Sequence, residues 1–254
     1  MKFKFISCNA RVQTTGDGEQ QFLNRVDFLC KTLLSLDADI IGFQEVTPLM
    51  KVMIAERMPA YAFVGGGRGA DRLGESPLIA VKQSKFFIER IDTQNLSPTP
   101  IVPGSRYEDS DQSLCPRAFA SADICSLENG TVMRFMNVHT DHIGERARYL
   151  EVEQMLKYYA EVNSLRPMPT VITGDFNAEP SAPEIMLMTE SGAFTDVTEK
   201  LAPTFHGYEK MPETKIDYIF ATRELRADKV YAIRDKDGAL YLSDHDPVIA
   251  EMEL

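Results

Sequence analysis

The stretch Thr173-Gly174-Asp175-Phe176-Asn177-Ala178-Glu179-Pro180-Ser181-Ala182-Pro183 decides how the rest of the chain is read. It follows the apolar run Val171-Ile172 and runs into two prolines. A buried strand therefore ends here, on an aspartate and an asparagine two residues apart. In extended backbone such residues point the same way, and Phe176 between them points into the core. Gly174 lets the chain bend or a ligand come close. Two readings stand. Asp and Asn are common turn residues, and they are also groups that a rigid strand end can present to a shared cleft.

The same pattern recurs along the chain. Cys8-Asn9, Gln44-Glu45, Val138-His139 and Ile216-Asp217 each put a polar residue at the boundary of an apolar strand, and Ser243-Asp244-His245 directly precedes one. Strands are expected at Lys2–Asn9, Asp39–Glu45, Pro77–Val81, Phe86–Ile91, Ala118–Ile124, Val132–His139, Thr170–Thr173, Ile216–Ala221, Val230–Ile233 and Pro247–Glu253. Helical spacing of Phe22, Val26, Leu29, Leu33 and Leu36, and of Ala147, Leu150, Met155, Tyr159 and Val162, predicts two helices. Ser97–Pro116, rich in Pro, Ser and Asp, reads as a long loop. Strands outnumber helices, and the helices are interspersed. The expected fold is an α/β four-layered sandwich, two packed mainly antiparallel β-sheets flanked by helices, with residues 1–254 as one domain.

Composition narrows the function. The 254 residues are 44% hydrophobic and 26% charged, with a net charge of -11. Nonspecific nucleic-acid binding draws on Lys and Arg, so this acidity counts against long duplex DNA as the main substrate. It suits a protein that recruits a divalent cation to meet a phosphate. No apolar run reaches the ~20 residues of a membrane helix, and the N-terminus lacks a signal-peptide apolar segment. A cytoplasmic protein with no obligate protein partner is expected. Cys8, Cys30, Cys115 and Cys125 show no C-x-x-C spacing and are read as free buried thiols.

The candidate residues suggest chemistry before any family does. Asp217 interrupts an apolar strand, and a buried carboxylate needs a partner. His245 is a natural one, since a carboxylate fixes the imidazole tautomer and raises its basicity. Glu45, Asp244 and the amide oxygen of Asn9 make the sparse oxygen set that Mg²⁺ prefers. Each has a plainer alternative: Glu45 as a charge ahead of a helix, Asp217 on a solvated edge, His139 as a satisfied sheet-end histidine.

Taken in order, Asn9, Gln44-Glu45, Asn137-Val138-His139-Thr140, Gly174-Asp175-Phe176-Asn177, Lys215-Ile216-Asp217-Tyr218 and Ser243-Asp244-His245 resemble the endonuclease/exonuclease/phosphatase superfamily, whose members share a deoxyribonuclease I-like fold. The similarity runs from Lys2 to Glu253. Asn95-Leu96-Ser97-Pro98, Pro116-Arg117-Ala118 and Pro203-Thr204-Phe205-His206-Gly207-Tyr208 look like a bacterial subgroup near the deadenylase-like branch. The resemblance implies a metal-dependent phosphoesterase. Asn9, Glu45 and Asp244 would hold Mg²⁺ or Mn²⁺, and Asp175 would activate water. Asn177 would bind the phosphate, and His139 would be a phosphate ligand or general acid. Asp217 and His245 would act as a dyad, and Arg117 would clamp a phosphate oxygen. His142 and His206 either shape the substrate pocket or serve packing, and Asp141 is expected to cap the following helix.

The chain departs from the pattern at Arg11, where abasic-site relatives carry an acidic residue, and at Cys8 and Phe119, where relatives often carry Trp. A small phosphorylated molecule or a nucleic-acid end is the expected partner. A DNA or RNA endo/exonuclease is the alternative within the family. A noncatalytic binding protein of the same fold would have lost one of Glu45, Asp175, Asn177, Asp244 or His245, and all five are present. A sphingomyelinase-type lipid hydrolase would want an apolar membrane-docking element that the sequence does not show. Gly65-Gly66-Gly67-Arg68-Gly69 is either a mobile substrate loop or a flexible connection.

Overall fold

The computed structural model describes residues 1–254. The first half comprises β1 (Lys2–Asn9), α1 (Phe22–Ser35), β2 (Ile40–Val46), α2 (Pro48–Arg57), β3 (Tyr61–Val64), β4 (Ser76–Lys82) and β5 (Phe86–Asn95). The middle comprises β6 (Ala118–Ser126), β7 (Val132–His139), α3 (Glu145–Leu165), β8 (Thr170–Asp175), α4 (Pro183–Glu190) and β9 (Thr195–Asp196). Then follow β10 (Asp217–Ala221), β11 (Arg226–Ala232), a short hairpin of β12 (Lys236–Asp237) and β13 (Leu240–Tyr241), and β14 (Val248–Glu253).

Two six-stranded sheets form, ordered β11-β14-β1-β2-β4-β3 and β5-β6-β7-β8-β10-β9. The β1–β2 and β7–β8 pairs are parallel and the others antiparallel. Period-two alternation gives each central strand two apolar faces. In β1, Phe3 and Phe5 point between the sheets, where they meet Ile40, Ile79, Ala122, Phe135 and Ile219. Ile6 and Cys8 point outward against Phe22, Val26, Leu29 and Leu33 of α1 and Met50 and Ile54 of α2. On the far side Val152, Met155 and Tyr158 of α3 and Ile185 and Met188 of α4 cover Phe119, Met136, Ile172 and Phe220. The layers are thus helix, sheet, sheet, helix, as the sequence led one to expect.

Some details differ from the sequence reading. β4 and β5, adjacent in sequence, lie in different sheets. Helix α4 begins at Pro183, the second proline of the opening stretch, a residue whose fixed φ suits a first helical turn. Cys8 and Cys30 are buried, but Cys115 and Cys125 are partly exposed. Asp141 does not cap α3. Its Oδ1 accepts from the N–H groups of Ile143 and Gly144, while the first turn of α3 is capped by Asp111, which accepts from Arg146 and Ala147 N–H. No helix is long and apolar enough to cross a membrane.

Candidate active site

The strand register gathers the polar strand ends at one rim. His139 lies opposite Asp175, and Asp175 opposite Asp217, so three neighbouring strands of one sheet end in register. The other sheet brings Asn9 and Gln44 opposite each other, with Glu45 next in line. The segment before β14 adds Asp244 and His245. Between these ends opens a cavity of about 610 Å³, lined among others by Glu45, His139, Asp175, Asn177, Asp244 and His245.

Asp175 is the hub. Its Oδ1 accepts from Asn177 N–H (2.9 Å), and its Oδ2 accepts from Asn9 Nδ2 (2.9 Å). That same Oδ2 lies 3.6 Å from His139 Nε2 and 3.7 Å from His245 Nε2. Asp217 Oδ2 sits 2.8 Å from His245 Nδ1 and accepts from Thr204 Oγ1 (2.6 Å), so the expected dyad is present and oriented. Glu45 Oε2 accepts from Val12 N–H (2.7 Å), and its Oε1 accepts from Asn9 Nδ2 (3.1 Å). Glu45, Arg11 and Asn177 all adopt left-handed backbone, with φ of 63°, 52° and 47°. For non-glycine residues such angles are uncommon and collect at functional sites. They explain one misreading: Asn177 is not in extended backbone beside Asp175, and its Nδ2 donates to Thr140 O (3.1 Å).

The charges are set by burial and by each other. Burial, helped by Asp217, holds the Asp175 carboxyl above its ordinary range against the pull of His245. Burial opposes a charged His245, but Asp217 and Asp175 outweigh it and raise the imidazole well above its usual value. Burial and then Arg117 and Arg68 push His139 well below its usual value. Burial also works to raise Glu45, but Val12 N–H, the Asn9 amide and Arg11 bring it below the usual range.

Three expectations need correction. Asp244 lines the cavity but stands apart from the converging oxygens. Its Oδ2 is 3.5 Å from Arg11 Nε, and Arg11 is in turn fixed by Asp17 at 3.0 and 3.1 Å. The Asn9 side-chain Oδ1 accepts from Arg11 N–H (2.9 Å), and the amide faces the carboxylates with its NH₂. His206 does not reach the cavity. It is 1% exposed, packs on Tyr241 and lies 3.4 Å from Asp246. Arg117 and His142 do line the cavity, with Arg117 Nη2 2.7 Å from His142 Nδ1.

The donor set fits a divalent cation. Ligand atoms of Glu45, His139 and Asp175 lie within 4.8 Å of one another, as do those of Asp175, Asp217 and His245. A buried and a half-buried carboxylate held by one amide repel each other, and a hard cation relieves that repulsion with the oxygen ligands it prefers. Sequence reading missed Thr204, which orients Asp217, and Glu75. Thr204 lies inside the Pro203–Tyr208 motif, so that stretch carried a signal.

A four-layered sandwich with carboxylates and histidines gathered at one rim is the deoxyribonuclease I-like hydrolase architecture. The chain belongs to the endonuclease/exonuclease/phosphatase family, which matches residues 6–245. No curated protein sequence matches it significantly. Among solved structures it is similar to an endonuclease/exonuclease/phosphatase from Bacteroides vulgatus, with 26% identity, a TM-score of 0.93, and coverage of 100% of this chain and 99% of that one. It is also similar to a mannosyl-6-phosphatase from Bacteroides thetaiotaomicron, with 25% identity, a TM-score of 0.89, and coverage of 99% and 100%. The human Nocturnin catalytic domain shares the fold at 14% identity, with a TM-score of 0.78 and coverage of 99% and 93%.

Proposed function

We propose that the chain is a divalent-metal-dependent phosphoesterase that hydrolyses a phosphate mono- or diester by in-line attack of water. The observation that carries this reading is the convergence of Glu45, His139, Asp175 and His245 on one cavity, with Asp217 holding His245 from behind. Glu45 and the facing Asp175 oxygen would hold Mg²⁺ or Mn²⁺, which supplies charge to neutralise phosphate oxygens. Asp175 aligns the attacking water and takes its proton. His245, oriented by Asp217, stabilises negative charge developing on the phosphoryl oxygens, and His139, Asn177 and Arg117 donate to them.

The substrate is a small phosphorylated molecule in preference to a polynucleotide. The one ring of Phe, Tyr or Trp type lining the cavity is Phe205, and it lies against His245 with centroids 4.9 Å apart. It therefore gives a base no free stacking platform of the kind single-strand binders use. The net charge of -11 opposes a long polyanion, and a similar structure is that of a sugar phosphatase.

The test is hydrolysis of p-nitrophenyl phosphate and its bis ester with EDTA, then with Mg²⁺ or Mn²⁺ restored. Activity should vanish and return, and full activity in excess chelator would sink metal dependence. Asp175→Asn and His245→Ala should each lower turnover by roughly 10²–10⁴ with native-like melting. A panel of sugar phosphates, inositol phosphates, nucleotide diesters, oligo(A) and single-stranded DNA then ranks substrates. Preference for the oligonucleotides would overturn the small-molecule assignment.

A further inference from the structure

The loop from Gly65 to Glu75 is held together by its own hydrogen bonds. Arg68 N–H donates to Glu75 O (3.0 Å), Gly69 N–H to Leu73 O (2.9 Å), and Leu73 N–H to Asp71 Oδ1 (2.8 Å). Asn95 Nδ2 ties Arg68 O to β5 (3.1 Å). At Gly67 an added Cβ would lie 2.5 Å from the carbonyl oxygens of Arg72 and Leu73, so the turn closes only on glycine. The result of this construction is one fixed side chain. Arg68 enters the cavity wall that also holds Glu75 and Arg117.

Neither guanidinium is used up there. Arg68 makes one side-chain hydrogen bond, from Nη2 to Glu75 Oε1 (2.7 Å), out of the five donors an arginine carries. Arg117 is 3% exposed; its Nε lies 3.5 Å from Asp141 Oδ2 and its Nη2 2.7 Å from His142 Nδ1, while the buried Nη1 has no partner. Leaving such donors unmatched costs stability, and two arginines on one wall add like-charge repulsion. Burial lowers the pKa of Arg68, and the neighbouring Arg117 charge lowers it further. An anion between them answers both the open donors and the repulsion. The cavity thus holds both a cation-seeking pair, Glu45 and Asp175, and two arginines, Arg68 and Arg117, that seek an anion.

Building on the hydrolase reading above, we propose that Arg68 and Arg117 form a subsite for the outer oxygens of a terminal phosphate, which makes the chain a phosphomonoesterase. A terminal phosphate carries three acceptor oxygens and close to two charges at neutral pH. One oxygen can face the carboxylate side while two remain for the guanidiniums. A diester lacks the third free oxygen and half the charge, so it leaves one arginine unanswered.

The experiment compares wild type, Arg68→Gln and Arg68→Lys on p-nitrophenyl phosphate and bis(p-nitrophenyl) phosphate, with a calorimetric titration of inorganic phosphate in the presence of Mn²⁺. Wild type should favour the monoester. Arg68→Gln should raise the monoester KM and weaken phosphate binding by about tenfold, the scale of one charge-assisted hydrogen bond. Its effect on diester kcat/KM should stay within about twofold, and Lys should recover part of the loss. Preference of wild type for the diester, equal loss on both esters, or unchanged phosphate affinity in a folded Arg68→Gln would overturn the subsite. Absence of turnover on either ester, with phosphate binding still dependent on Arg68, would instead overturn the hydrolase reading.

Discussion

Glu151, on α3, is fully buried beneath the wall that carries Arg117. Its Oε2 accepts from Asp141 N–H (2.8 Å), while Oε1 has no partner. Burial pushes its carboxyl up to about 8, even though the Asp141 N–H and Arg117 pull the other way. Asp141 beside it goes down to about 2, because the N–H groups of Gly144, Ile143 and Ser113 and the Ser113 hydroxyl outweigh its own burial. The two carboxyls thus share a site by staying in different protonation states. Because the folded-state pKa of Glu151 lies above its unfolded value of 4.5, the folded protein keeps a proton that the unfolded chain releases. Stability from this group is therefore present below pH 4.5 and is lost as pH rises toward about 8, beyond which the loss levels off. Gln in this position can accept the same hydrogen bond and has no proton to lose. Urea unfolding of Glu151→Gln should match wild type near pH 4.5 and exceed it by a few kcal/mol near pH 8, at about 1.4 kcal/mol per pKa unit. A constant difference between the two proteins across that window would show that Glu151 does not titrate there.

Between the sheets, the element that sets their spacing is polar. Asn137 of β7 donates through Nδ2 to Phe43 O (2.7 Å) and Leu78 O (3.1 Å) in the opposite sheet. Its Oδ1 accepts from Gln44 Nε2 (2.7 Å) and Thr173 Oγ1 (3.0 Å). Gly42 permits this contact, since a Cβ there would sit 2.2 Å from Thr173 Oγ1. Asn137→Leu keeps much of the volume and removes all four bonds, so the Gln44 amide and the Thr173 hydroxyl lose their shared acceptor in the core. The expected loss in chemical denaturation is about 3–5 kcal/mol. A loss under about 1 kcal/mol would mean that apolar packing alone holds the sheets. Most strands were legible because alternation and runs of Val, Ile and Phe are written locally. Helix α2 and strand β3 were not, because Pro48–Arg57 buries only Met50 and Ile54, and β3 is a four-residue edge strand. The assignment of β4 and β5 to different sheets was also hidden, since nothing local in Lys82–Phe86 marks a crossing between layers.

At the scale of the whole molecule the site is an exception to the protein's own charge. Asp175, Asp217, His139 and His245 were legible because polar residues at apolar strand ends demand partners. The roles of Asp244 and Asn9 were not, because the guanidinium and backbone amide that occupy them belong to Arg11, whose left-handed turn no spacing rule foretells. An acidic chain that also packs Glu45, Asp175 and Asp244 around one cavity carries repulsion that Arg11 and His245 offset only in part. A divalent cation bound to the folded state alone would add stability by mass action, about 2.7 kcal/mol at a hundred times its Kd. For a protein of this length that corresponds to a rise in Tm of roughly 5–10 °C. Melting of EDTA-stripped protein should therefore shift upward with Mn²⁺ or Mg²⁺ in a saturable way, and Glu45→Gln should reduce the shift. The readout needs no substrate and does not depend on turnover. A Tm that ignores millimolar Mn²⁺ would show that the folded protein binds no such cation, and a shift of equal size in Glu45→Gln would place cation binding elsewhere and remove Glu45 as its holder.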